Sequence, residues 1–203
     1  MSVAQDEVPE VSPEVYLALE RQTEEKNEYV DGHIVAMSGS SVDHDLISGD
    51  VLGLFLQQLG TGPCVVLSSN MKVRAQLKTP STRKGLFAYP DLTIVCGEPT
   101  FHDERRDIIT NPKVIFEVLS PSTEDYDFGR KRERYQGIET LTDYLLVAQD
   151  LPWVEHWERQ PNKRWVVDTI EGLDSTLEIQ TIDCKLKLAD IYRRVSFPER
   201  TIQ

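Results

Sequence analysis

Basic residues are in short supply in this chain. Lysine and arginine number 22 against 34 aspartates and glutamates, and the formal net charge at pH 7 is −12. Such a surface repels nucleic acid and anionic membranes at long range, so a reading that involves either must find a local exception. Cysteine is scarcer still. Cys64, Cys96 and Cys184 are far apart, odd in number, and form no C-x-x-C pair. Neither a zinc site nor a disulfide framework is indicated, and free buried thiols in a reducing cytoplasm are the expectation. No apolar run approaches the roughly 20 residues of a membrane span. No basic stretch followed by an apolar one opens the chain, so a cytoplasmic protein without a membrane partner is expected. Repeats and low-complexity tracts are also missing.

What remains reads as one globular domain over residues 12–203, preceded by a loose acidic tail over 1–11. Ser12-Pro13 opens a first helix as N-cap and first turn. "NEYVDGHIVAM" predicts a hairpin around Asp31-Gly32. In "SSVDHDLISGDVLGLFLQQLG" the apolar residues Leu46, Ile47, Val51, Leu54, Phe55 and Leu59 recur at helical spacing, with Gly60 as C-cap. "CVVLSSNMKVRAQL" predicts two strands with a turn near Ser69-Asn70, and "AYPDLTIVC" and "KVIFEVLS" predict further strands. Ser122 and Asp125 have capping-box-like spacing before a helix from about Glu124 to Gln136, ended near Gly137. "DYLLVA", a hairpin through "WVEHWER" and "KRWVVDTI", and a short helix in "KLADIYRRV" complete a mixed α/β chain around one central sheet.

Two of the apolar strands carry one acid each: Asp91 in "YPDLTIV" and Glu117 in "KVIFEVLS". A buried carboxylate is costly unless it is paired, hydrogen-bonded or bound to a metal. Pro90 cannot donate to a sheet, which places Asp91 where a strand begins or bends. Alternation puts Ile115, Glu117 and Leu119 on one face. If the strands are neighbours, the carboxylates converge, and either a turn cap plus a lysine or arginine partner, or a hard divalent ion, balances them. Asp127, Lys131 and Tyr135 share a face of the following helix. Lys131 is then either half of a surface ion pair with Asp127 or is aimed at the carboxylates.

These residues resemble the Uma-two family, described as bacterial endonucleases with a restriction-endonuclease-like, PD-(D/E)XK fold. The similarity lies in "YPDLTIV", in "FEVLSPST" followed by Asp127, Lys131 and Tyr135, in "GI…DYLLV", and in the opening "NEYVDGHIVAMSG…H". It covers roughly Pro13 to Val167. The resemblance implies a restriction-endonuclease-like α/β core with a mixed sheet, an N-terminal helix and hairpin, and extra C-terminal strands. It implies that Asp91 and Glu117 hold Mg²⁺ or Mn²⁺, with the backbone carbonyl of Val118. Leu119 occupies the position of the usual lysine, and Lys131 takes its role from the next helix. Glu28, Asp127 and Tyr135 are possible supporting contacts. His44 matches the family's histidine, and a structural role at the helix N-terminus is expected for it.

The acid is unevenly spread. Between Met71 and Pro90 there is no Asp or Glu, while Lys72, Arg74, Lys78, Arg83 and Lys84 are basic; Arg130 and Arg134 lie near Lys131. These seven are the expected nucleic-acid contacts, a basic rim around an otherwise acidic surface. The three tryptophans Trp153, Trp157 and Trp165 read as cross-strand packing, with base stacking as an alternative. The expected function is metal-dependent hydrolysis of phosphodiester bonds, with DNA the favoured nucleic acid and a homodimer suited to cutting both strands. The alternative is a non-catalytic accessory protein that keeps the nuclease fold, favoured by the net charge and by Leu119.

Overall fold

The computed structural model describes residues 10–37, 39–75, 85–119 and 127–197, with residues 127 and 128 in backbone only. Helix α1 spans Pro13–Glu20, and the Ser12 hydroxyl accepts from the Val15 N–H at its start. Strands β1 (Asn27–Val30) and β2 (His33–Ala36) pair antiparallel. Asp31 and Gly32 join them at φ of 49° and 99°, the left-handed pair that a tight hairpin turn needs. Helix α2 covers Val42–Leu59 and stops at Gly60, whose φ is 52°. The Val11 N–H donates to Gly32 O, and Val11 packs beside α1, so the fold reaches past residue 12. Residues 1–9 lie outside the described part.

The strands divide into two main sheets, which corrects the single central sheet expected from the sequence. The first has the order β2-β1-β5-β4-β7, with β4 at Lys72–Ala75, β5 at Leu86–Ala88 and β7 at Ile108–Ile109. The second has the order β11-β10-β9-β8-β6-β3. Its members are β3 (Cys64–Ser68), β6 (Leu92–Cys96), β8 (Val114–Leu119), β9 (Asp143–Ala148), β10 (Trp153–Arg159) and β11 (Trp165–Glu171). Strands β3 and β4 adjoin in sequence but belong to different sheets. A hairpin of β12 (Thr176–Ile179) and β13 (Cys184–Lys187) leads into helix α4, Leu188–Ile191.

Burial explains the layering. All six residues of β8 are buried, the pattern of a strand covered on both faces. Val114, Phe116 and Val118 join Ile47, Val51 and Phe55 of α2 in one core, which the β12–β13 hairpin and α4 complete. Ile115 and Leu119 face the other way and pack with Val30, Val73, Leu86 and Ala88 of the first sheet. Helix α1 covers the outer face of that sheet through Tyr16, Leu17, Tyr29 and Phe87. Glu117 therefore points between the two sheets.

Before β9, a π-helical turn, Asp127–Lys131, runs into helix α3, Arg132–Gln136, and Gly137 ends it. The Ser122–Asp125 cap lies outside the described residues. The cysteines need a second correction. Cys64 and Cys96 stand directly opposite each other in the β3–β6 register and form a disulfide, leaving Cys184 as the buried free thiol. Thirty-two residues separate them, so the pairing depends on a register that spacing does not reveal. Unfolded without reductant, the chain is expected to react with one equivalent of a thiol reagent, and three equivalents would rule the disulfide out.

Candidate active site

Between β5 and β6 the chain steps from the first sheet to the second through Tyr89, Pro90 and Asp91. Strand β6 pairs antiparallel with β8, with Leu92 opposite Phe116, so Asp91 falls beside Glu117. Each carboxylate meets a backbone N–H from the other's segment. The Val118 N–H donates to Asp91 Oδ2 at 2.7 Å, and the Asp91 N–H makes a long 3.4 Å contact with Glu117 Oε2. Neighbouring strands thus hold both carboxylates at one point on the seam between the sheets.

Lys131, the last residue of the π-helical turn, is 5% exposed. Its Nζ lies 2.9 Å from Glu117 Oε1 and 3.2 Å from Glu28 Oε1. Glu28 comes from β1, where alternation sends it to the same face as Val30 and toward the second sheet. Its Oε1 also accepts the Tyr89 N–H at 3.0 Å. One ammonium therefore bridges carboxylates from two sheets, all three groups being largely withdrawn from water. Tyr135, one α-turn beyond Lys131, reaches Glu117 Oε1 at 3.4 Å. Burial raises the Tyr135 phenol well above its ordinary pKa, so it serves as a donor to that carboxylate.

His44 sits in the first turn of α2, whose N-cap hydroxyl, from Ser41, accepts the His44 N–H. Its ring does more than end a helix: Nε2 lies 3.2 Å from Asp91 Oδ2. A carboxylate only accepts, so this contact needs the proton on Nε2. Among the described residues, Asp91 is engaged through Oδ2, by the Val118 N–H and the His44 ring, and its Oδ1 has no partner.

The basic rim is smaller than expected. Lys72 is 5% exposed, donates to the Tyr89 hydroxyl, and has its pKa lowered by burial. Arg74 lies over the Phe87 ring and against His102, and burial lowers its pKa too. Both belong to the α1-facing side of β4, away from Glu28 and Lys131, so neither forms a rim at this site. Arg134 is tied to Asp31. Arg130 is exposed beside Lys131. Lys78, Arg83, Lys84 and the Asp127 side chain lie outside the described residues. A cavity of about 470 Å³ beside α1, lined by Arg21, His102 and Asp103, opens on the same far side. Its Arg21 is already neutralised by Asp103 and Asp107.

Tyr89 is a support that sequence reasoning missed. Its hydroxyl donates to Glu20 at 2.7 Å and accepts from Lys72 at 3.0 Å, while its amide holds Glu28. One signal was available: Glu20 shares the buried face of α1 with Tyr16 and Leu17, and an acid on such a face implies a hidden partner.

Among the described residues, no three His, Cys, Asp or Glu side chains cluster as a metal cage. Asp91 and Glu117 do supply two convergent hard oxygens. That donor set fits an ion of the Mg²⁺ type, which keeps several waters and takes one or two carboxylates.

Mixed sheets flanked by helices, with this acid pair and a lysine from the next helix, define a restriction-endonuclease-like fold. The chain aligns with the crystal structure of "a putative nuclease belonging to DUF820" from Anabaena variabilis ATCC 29413. The TM-score is 0.71 at 14% identity, over 90% of this chain and 98% of that one. Residues 13–189 match the Uma2 family, described as "Putative restriction endonuclease", and the chain belongs to that family. Two relatives come from Synechocystis sp. (strain ATCC 27184 / PCC 6803 / Kazusa). The uncharacterized protein slr1290 is 34% identical over 93% of this chain and 95% of its own. The uncharacterized protein sll1609 is 29% identical over 80% and 89%.

Proposed function

We propose that this protein is a divalent-metal-dependent nuclease that hydrolyses phosphodiester bonds, with DNA as the favoured substrate. The observation that carries the reading is the convergence of Asp91 and Glu117, from neighbouring strands, on a site that Lys131 reaches from the next helix. Asp91 Oδ1, Glu117 Oε2 and the Val118 carbonyl would hold Mg²⁺ or Mn²⁺. When bound, such an ion supplies Lewis acidity toward water and phosphate oxygens.

The chain's own groups do the rest. The Val118 N–H and the His44 ring fix Asp91 by one oxygen, which keeps the other available. Glu28 and Glu117 hold the Lys131 ammonium at the edge of the site, where its charge offsets that of a phosphate and it can orient a water. Tyr89 and Tyr135 keep those two acids in place. A homodimer would supply a site for each strand of a duplex.

Lys131 is already engaged by two carboxylates, and Leu119 is packed in the core, which favours a second reading: an accessory protein that keeps the fold without hydrolysis. Calorimetric titration with Mn²⁺ separates the two. Asp91→Asn keeps an oxygen for the Val118 N–H while removing the charge. It is expected to weaken Mn²⁺ binding and slow oligonucleotide cleavage by about 100-fold or more, at or beyond the upper end of what outer-shell changes cost. A wild-type protein that binds no Mn²⁺, or an Asp91→Asn variant with unchanged affinity, would overturn the nuclease.

A further inference from the structure

Arg132 follows Lys131 and points elsewhere. Its guanidinium lies over the indole of Trp157, 4.3 Å from the ring centroid. Neither residue is fully buried. Among the described residues Arg132 has no carboxylate partner, unlike Arg134, which is tied to Asp31, and Arg21, which holds two aspartates.

Trp157 shares its strand face with Arg159, which lies over Trp165 and donates to the carbonyls of Gln136, Ile138 and Glu139. Those bonds bind the end of α3 to the β10–β11 hairpin, so the helix cannot shift relative to the tryptophan. A guanidinium stacked on an aromatic face has its plane fixed and its edge N–H groups directed outward. That edge matches a phosphate, which it can grip with two parallel bonds. Lysine, a point charge on a flexible stem, has no such plane. Successive Cα atoms are about 3.8 Å apart, and a strand advances about 3.4 Å per phosphate along a duplex. The phosphate gripped at Arg132 therefore lies within a few nucleotides of the one at Lys131.

We infer that Arg132, held flat on Trp157, is a phosphate-binding residue that seats the nucleic-acid backbone beside the cleavage position. The inference rests on the nuclease reading and names where its substrate runs. The Arg132–Trp157 stack lies on the face of the second sheet opposite the β12–β13 hairpin.

The test is binding of a fluorescein-labelled DNA duplex, followed by anisotropy in EDTA across a salt series, for the full chain and variants. Arg132→Met keeps an apolar group over the indole. It is expected to weaken binding about 10-fold and to lower the slope of log affinity against log salt by about 1, the loss of one phosphate contact. Arg132→Lys is expected to recover less than half of that loss on a logarithmic scale. Lys185→Met, on the far face, is expected to change affinity by less than twofold. Equal melting temperatures for wild type and Arg132→Met confirm that both are folded. An Arg132→Met protein within twofold of wild type, with the same salt slope, would sink the inference while leaving the metal site intact. Wild-type protein that binds the duplex through Arg132 but never cuts it would sink the nuclease and leave this surface standing. A wild type that binds no duplex would sink both.

Discussion

Lys131→Met is expected to lower the unfolding free energy at neutral pH by about 3–5 kcal/mol, the cost of removing one partner from a buried ion pair. The ammonium is shared by Glu28 and Glu117, each 4% exposed, and methionine fills much of the same volume without the charge. Two carboxylates from different sheets would then face each other across an apolar gap. The deficit is expected to shrink in acid, where a proton replaces the missing cation. Adding Glu28→Gln is expected to restore part of the stability, since one charge then needs no partner. Urea unfolding of the single and double variants at pH 7 and pH 4.5 measures all three effects. A single variant as stable as wild type at pH 7 would mean that Lys131 is not the cation the two acids depend on.

Asp143→Ala is expected to cost a similar amount, about 3–5 kcal/mol, through a cluster remote from the chemistry. The Asp143 side chain is fully buried at the start of β9. Its Oδ1 accepts from His156 Nε2 at 2.7 Å, and its Oδ2 accepts from the Thr142 hydroxyl at 2.7 Å and from that of Thr181. One carboxylate so fastens β9 to β10 and to the turn after β12. Alanine strands three donors, whereas asparagine retains an acceptor, so Asp143→Asn is expected to lose less. Mn²⁺ affinity should stay at the wild-type value in whatever fraction remains folded. Denaturation midpoints test the ranking, and an alanine variant within about 1 kcal/mol of wild type would contradict it.

The acid pair was legible because both carboxylates interrupt apolar strands, and Pro90 marks the point where one strand begins. Lys131 was legible once its spacing to Tyr135 was joined to the family resemblance. The division into two sheets was not, because sheet membership depends on distant pairing: β3 and β4 look like a hairpin until β6 claims one and β5 the other. The same blindness hid the Cys64–Cys96 bond. Lys72 and Arg74 misled for a different reason. They alternate with Val73 as exposed residues would, but α1 and Tyr89 cover that face too, and nothing local announces the covering. Val11, which composition groups with the acidic opening, bonds to a turn 21 residues downstream, another pairing that nothing local announces.

The chain has three residues, Tyr89 to Asp91, in which to pass from one sheet to the other, and the backbone N–H groups of two of them, Tyr89 and Asp91, reach the carboxylates of Glu28 and Glu117. A slip of one sheet against the other would carry Glu28 away from Lys131, while Asp91 and Glu117, both held on the second sheet, would stay together. The Lys131 ammonium is therefore a gauge of alignment between two halves of the molecule: a shear between them would part it from Glu28 and leave each sheet intact.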